Sequence, residues 1–291
     1  MTSEHLQSNV HLTRTLIRLG SILCLCSAFL LATGCATTEE IERSEKEYYD
    51  NARKALKSGN FLEATRELES LESRYPFGRY AEQAQLDLIY ARYGSLDLEG
   101  SRAAADRFIR LHPSSENVDY AYYIRGIASY NMDIGLAAQW FPIDETSRDP
   151  GEMRRAFSDF SALLQRFPDS EYAPDARSRM VYIRNRLADY ELHVTKYYIR
   201  REAYIAAVNR AKYIVDHFSD TPATEQALIL MVELYQQLEL PDKADDALVV
   251  LAANYPESEA FDANMKFNSN RVARQNRGLS ELFNFSLFSE D

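Results

Sequence analysis

Apolar residues recur at steps of three and four through most of this chain, and the stretch from Ala156 to Ala176 shows the pattern most plainly. Ala156, Phe160, Leu163, Leu164 and Phe167 fall on one face of a predicted helix. Pro168 ends it, because proline has no N–H to donate and its ring clashes with the preceding turn. Ser170, with Asp169 beside it, predicts a cap for the helix that follows. The same arrangement returns at four other stops. With Pro76, Pro113, Pro168, Ser219 and Pro256 as anchors, the preceding residue is always an aromatic or an imidazole: Tyr75, His112, Phe167, Phe218 and Tyr255. Five before the anchor is always large and apolar (Leu71, Phe108, Leu163, Ile214, Leu251), and twelve before is always small (Ala64, Ser101, Ala156, Ala207, Ala244). Eight after is alanine at Ala84, Ala121, Ala176 and Ala227, with Asn264 the exception.

This is a fivefold internal repeat. A small residue at a fixed place in every second helix lets two helices approach closely, and the large residue seven positions later fills the space beside it. Helix pairs stacked in this way predict an all-α protein, an α-solenoid of five tetratricopeptide-like helix-turn-helix units. The anchors are 37, 55, 51 and 37 residues apart. The shorter intervals lie near the roughly 34-residue tetratricopeptide period, and the longer ones require longer helices or an insertion.

Residues 41–257 are expected to form the solenoid. The first helix is predicted from about Ile41 to Lys57, with Gly59 at a turn that needs a left-handed backbone, and the second from Phe61 to Tyr75. The second repeat is read from Tyr80 to His112. The third starts near Val118 and is interrupted between Gln139 and Pro150, where the one Trp, Trp140, lies. A long helix from Asp175 to about Ile199 opens the fourth, followed by Tyr204 to Phe218, and the fifth spans Pro222 to Tyr255. Residues 258–291 form a C-terminal extension, read as a basic capping helix over Met265 to Arg277 and a mobile tail after Gly278.

Residues 1–34 read differently. Arg14 and Arg18 precede an uncharged apolar run, Leu19 to Leu31, too short for the roughly 20 residues of a bilayer span. With the small-residue end Ala32-Thr33-Gly34 it reads as a cleaved signal peptide. Leu31-Ala-Thr-Gly-Cys35 resembles the lipobox of bacterial lipoproteins, which makes Cys35 the expected lipidation site and residues 35–40 a lipidated tether. Cys24 and Cys26 leave with the leader, so no disulfide is available to the mature chain. By the same resemblance, Ala36 rather than Asp after the cysteine implies the outer membrane, lipid-anchored and facing the periplasm. Without the leader, 31 basic residues stand against 43 acidic, a net charge of −12. That balance argues against nucleic acid and against an anionic membrane surface as the main partner.

Little in the sequence looks catalytic. His112 occupies the aromatic position of the repeat, and His193 and His217 have no companion at metal-ligand spacing. No G-x-S-x-G, phosphate loop or H-E-x-x-H occurs. The expectation is a protein that is not an enzyme, with no catalytic residue, no metal and no cofactor beyond the lipid on Cys35. Nineteen tyrosines are a high count. If the first helix of each pair lines a concave groove, Tyr49, Arg53 and Lys57 of the first repeat lie beside Tyr80, Gln83, Asp87 and Tyr90 of the second and Tyr120 and Ile124 of the third. Tyrosine combines apolar area with a hydroxyl at low entropic cost, a useful mixture for holding an extended peptide. Inter-repeat packing is the competing reading for each of them.

The lipobox, the five repeats and the strings Arg74-Tyr-Pro-Phe-Gly78, Gln85-Leu-Asp-Leu-Ile-Tyr90, Asp106-Arg-Phe-Ile-Arg-Leu111 and Arg148-Asp-Pro150 with Ala156-Phe-Ser-Asp-Phe160 resemble the BamD family. These are lipoproteins of the outer-membrane β-barrel assembly machinery, and the likeness runs from Cys35 to about Asn254. It implies a non-catalytic scaffold whose first repeats receive unfolded outer-membrane proteins. Its last repeats would hold a POTRA domain of the barrel subunit BamA, with BamC and other lipoproteins of the complex draped over it where present. Arg210 matches a family arginine at the BamA contact. The alternative is another periplasmic tetratricopeptide lipoprotein, one that coordinates cell-envelope synthesis.

Overall fold

The computed structural model describes residues 43–134 and 147–272. Residues from Glu45 onward form one compact unit. Ten helices are described in it: α1 Glu45–Lys57, α2 Phe61–Arg74, α3 Ala81–Gly94, α4 Leu98–Leu111, α5 Val118–Ile134, α6 Gly151–Arg166, α7 Ala173–Arg200, α8 Tyr204–His217, α9 Ala223–Gln237 and α10 Pro241–Asn254. They pair in order into five helical hairpins, as the anchors predict.

The repeat register is visible as burial. The large residues Leu71, Phe108, Leu163, Ile214 and Leu251 have no exposed surface, and the small positions Ala64, Ser101, Ala156 and Ala207 are equally enclosed. Ser101 is the one polar member of the small set. Its hydroxyl donates to the Ile89 carbonyl of α3 at 2.9 Å, which satisfies a group that would otherwise be costly to bury. The aromatic before each anchor is the C-cap, and its N–H closes the last helical turn onto the carbonyl of the large residue four back, 2.8 Å in all five repeats.

Inter-repeat turns repeat as well. Ser170 does not cap α7; the helix starts at Ala173, and the Ser170 hydroxyl instead donates to Asp119 at the start of α5. Ser115 does the same to Glu82, and Ser258 to Glu225, so a carboxylate from the first turn of one repeat's leading helix clasps the turn that ends the repeat. The first repeat has Gly78 at this place. Glu45 lies so close over it that a Cβ there would collide, and its carboxylate takes the Tyr80 N–H at 2.6 Å. Within the hairpins, Gly59, Leu96, Glu202 and Glu239 all have positive φ, between 55° and 72°. Only the first is glycine, so three turns hold a strained left-handed residue that the helix packing enforces.

The two long anchor intervals have the two predicted causes. One contains the chain between α5 and α6; of it, residues 147–150 are described, while Trp140 and the rest of the predicted interruption lie outside the described residues. The other contains α7, whose 28 residues serve two cores. Its Ala176, Ile183 and Leu187 pack with α3–α6, and its Ala188, Leu192 and Ile199 pack with α8 and α9.

Three further expectations need correction. Arg43 and Ser44 are not helical, so α1 begins at Glu45 rather than Ile41. Ile124 does not line the cleft; it is buried in the core that α3 to α7 share. The segment after Ser258 is not a helix from Met265. Asp262 folds it back: its carboxylate accepts from the N–H groups of Asn264 and Lys266, and its own N–H donates to the Lys266 carbonyl. Phe261 and Phe267 are thereby paired as an antiparallel bridge, with Met265 at positive φ. Helix begins again only at Arg271, and the predicted tail lies outside the described residues.

Candidate functional site

The first helices of repeats one to three bring most of the predicted groove residues together. Arg53, Lys57, Gln83, Asp87, Tyr90 and Tyr120 line one open cleft of about 420 Å³, joined by Leu56, Leu86, Asn117 and Tyr172. Tyr49 and Tyr80 stand beside it as a stacked pair, ring centroids 4.6 Å apart. Inter-repeat packing and exposure to the cleft therefore coexist in these tyrosines. Tyr90 packs edge-on against Phe61 yet remains 43% exposed, and Tyr120 is tilted against Tyr172 at 5.8 Å.

Polar contacts fix the cleft floor. Asp87 is buried and accepts from Gln83 Nε2 at 3.0 Å and from Arg53 Nη1 at 3.4 Å. Burial, and then the Asp87 carboxylate, push the Tyr49 hydroxyl above its ordinary pKa. Burial pushes Tyr120 up more strongly, and Tyr172 up to about 12. These hydroxyls stay protonated at neutral pH, and those of Tyr49 and Tyr172 donate to the Asp87 and Glu171 carboxylates. Arg53 is half-exposed and Lys57 exposed, so the α1 side of the cleft is cationic while its far wall is aromatic. An extended segment with aromatic side chains and a carboxylate matches that lining.

The structure adds Tyr172 to the predicted set. The repeat register already held the signal: Tyr80, Asn117 and Tyr172 each stand four residues after an anchor. Tyr172 also stacks on Tyr123, whose hydroxyl donates to Asp175 at 2.8 Å. Aromatic lining thus reaches Tyr172 at the N-cap of α7.

Arg210 lies apart from this cleft, on α8. It borders a shallow depression of about 340 Å³ with Tyr198, Ala206, Asn209 and Tyr213. It is half-exposed, and its Nη1 donates to Glu191 on α7 at 3.1 Å. The buried Glu191 carboxylate also faces Arg154 of α6 at 3.9 Å. Arg210 is therefore neither a free surface charge nor a buried one. Its guanidinium is held by one edge and open along another.

His112 packs on Phe108 and contacts Gln85 Oε1 through Nε2 at 2.9 Å, which gives it the structural place its repeat position predicts. Among the described residues no helix is long and apolar enough to cross a membrane. Cys35 lies outside the described residues.

Comparison with known proteins agrees with the family resemblance of the sequence. The family model YfiO, described as an outer membrane lipoprotein, matches residues 41–251. The outer membrane protein assembly factor BamD of Vibrio cholerae is 42% identical over 229 residues, covering 78% of this chain and 95% of the relative. The protein of the same name from Neisseria meningitidis serogroup B is 39% identical, covering 81% and 92%. A solved tetratricopeptide repeat protein of Parabacteroides merdae covers 82% of this chain and 73% of its own at 11% identity, with a TM-score of 0.33, and adds nothing to the fold read from the helices. On the family match and these identities, the chain belongs to the BamD, or YfiO, family of outer membrane lipoproteins.

Proposed function

We propose that this protein is a non-catalytic scaffold of the outer-membrane β-barrel assembly machinery, tethered to the outer membrane by lipid on Cys35 and facing the periplasm. The cleft of repeats one to three receives an extended segment of an unfolded outer-membrane protein. The α7–α8 face around Arg210 holds a POTRA domain of BamA, and BamC and other lipoproteins of the complex join where present. One observation carries the reading: relatives named as outer membrane protein assembly factors are 42% and 39% identical over 78% and 81% of this chain, and the family model spans residues 41–251. The geometry supports the division of labour, since the cleft suits an extended aromatic peptide and the half-open Arg210 fork suits a carboxylate on a folded partner. Mild-detergent purification of the full chain, with mass spectrometry of what accompanies it, tests the proposal. Recovery of BamA in stoichiometric amount is expected. Recovery of cell-wall synthesis enzymes without BamA would overturn it.

A further inference from the structure

Each of the five repeats ends in a turn in which the residue directly after the anchor is exposed. In four of them that residue is Ser114, Asp169, Asp220 or Glu257. In the first it is Phe77, which is 99% exposed, more than any other large apolar residue described. Four equivalent positions present a polar group to water, and one presents a whole aromatic ring.

Its surroundings differ too. Arg74 and Arg79 flank the turn, their guanidinium groups set against the Tyr48 and Tyr80 rings. The Glu45 carboxylate closes over Gly78 and takes the Tyr80 N–H, in place of the serine clasp found at other turns. Glu45 is the first residue of α1, so the point where the chain enters the solenoid is pinned against the turn that carries Phe77. Only ten residue steps separate Glu45 from Cys35, a reach of at most about 35 Å if fully extended. An exposed aromatic between two arginines is the composition that settles at a bilayer interface, the ring at headgroup depth and the cations toward lipid phosphates.

We infer that Phe77 is a membrane-contact residue, which enters the headgroup region of the bilayer holding the lipid anchor and so orients the first repeat against that surface. The inference rests on the anchoring reading of Cys35. A lipid anchor alone does not specify which edge of the solenoid faces the membrane. A second contact beside the tether's entry point fixes which edge faces the lipid, and with it the direction in which the cleft opens.

The test uses the full, lipidated chain carrying Trp140→Phe and Phe77→Trp, reconstituted into phosphatidylethanolamine–phosphatidylglycerol vesicles. Trp140→Phe with Asp169→Trp is the comparison turn. The emission of the Phe77→Trp protein should shift to the blue on reconstitution and fall by roughly half when the acyl chains are brominated, as expected for a ring at headgroup–acyl depth. The Asp169→Trp protein should show neither change. If intact mass shows acyl chains on Cys35 and the vesicles carry the protein, yet the Phe77→Trp emission stays that of a water-exposed indole, the inference is wrong and the anchoring reading stands. Absence of acyl mass on Cys35 would overturn both. A blue shift that needs added BamA and ignores brominated lipid would assign Phe77 to a protein interface instead.

Discussion

Ala156 and Ala207 have no exposed surface, and the helix-helix approach depends on their lacking anything beyond a Cβ. Close-packed interiors have no room for three added carbons. Ala156→Leu and Ala207→Leu should therefore each destabilise by about 1–3 kcal/mol, while the exposed Lys243→Ala stays within about 0.5 kcal/mol. Equilibrium urea unfolding measures both; if the alanine variants unfold with the control, the repeat register is wrong. These positions were legible from one sequence because repetition is evidence in itself: a small residue at one place in five second helices points to a close contact. Positive φ at Leu96, Glu202 and Glu239 was not legible. Nothing local favours a left-handed backbone for leucine or glutamate, and only the packing of the two helices on either side imposes it.

Among the elements, the segment after Ser258 departs most from its periodicity, and Glu233 explains where it docks. Fourteen residues after the anchor, repeats two to four carry Tyr90, Ile127 and Tyr182, and the fifth carries Glu233. That carboxylate is buried on α9 and accepts the N–H groups of Arg271 at 2.9 Å and Val272 at 2.6 Å, and the Ser269 hydroxyl. A carboxylate is favourable there because the first N–H groups of a helix have no partner within it. Val272 and Phe267 then pack on the apolar residues of the last repeats, covering surface that a sixth repeat would cover in a longer solenoid. Glu233→Gln replaces one accepting oxygen with a donor that faces other donors. It should cost about 2 kcal/mol, with faster hydrogen exchange at Val272, whereas Asp246→Asn should do neither. Unchanged exchange at Val272 would mean that packing alone holds the segment. The sequence misled here because Met265 to Arg277 has a helical composition, while the Asp262 turn that interrupts it depends on backbone hydrogen bonds that leave no periodic trace.

For the whole molecule, α7 links two cores and separates two surfaces. The tyrosine-lined cleft belongs to repeats one to three, and Arg210 stands on the fourth. Helix-face geometry carried most of the cleft residues from sequence to structure, because first helices of stacked pairs present equivalent positions to one side. It did not reveal that Arg210 is tied to Glu191, a contact between residues 19 apart on adjacent helices. That tie shapes the choice of variant, since a carboxylate at position 210 would face a buried one. Arg210→Ala avoids this and leaves Glu191 opposite Arg154.

Binding of both ligands to both variants tests the division most directly. A fluorescent peptide ending in a β-barrel protein's terminal strand and a purified BamA POTRA fragment are each titrated by anisotropy against the unmodified chain, against Tyr49→Ala with Tyr90→Ala, and against Arg210→Ala. Truncating aromatics at a binding centre costs about 1 kcal/mol or more, so the tyrosine pair should weaken the peptide by about fivefold or more and leave the POTRA fragment unchanged. Arg210→Ala should do the reverse, by less than the several kcal/mol lost when a fully buried pair is broken, because its guanidinium is half-exposed. The opposite pattern, with the tyrosines affecting only the POTRA fragment and Arg210 only the peptide, would contradict the account.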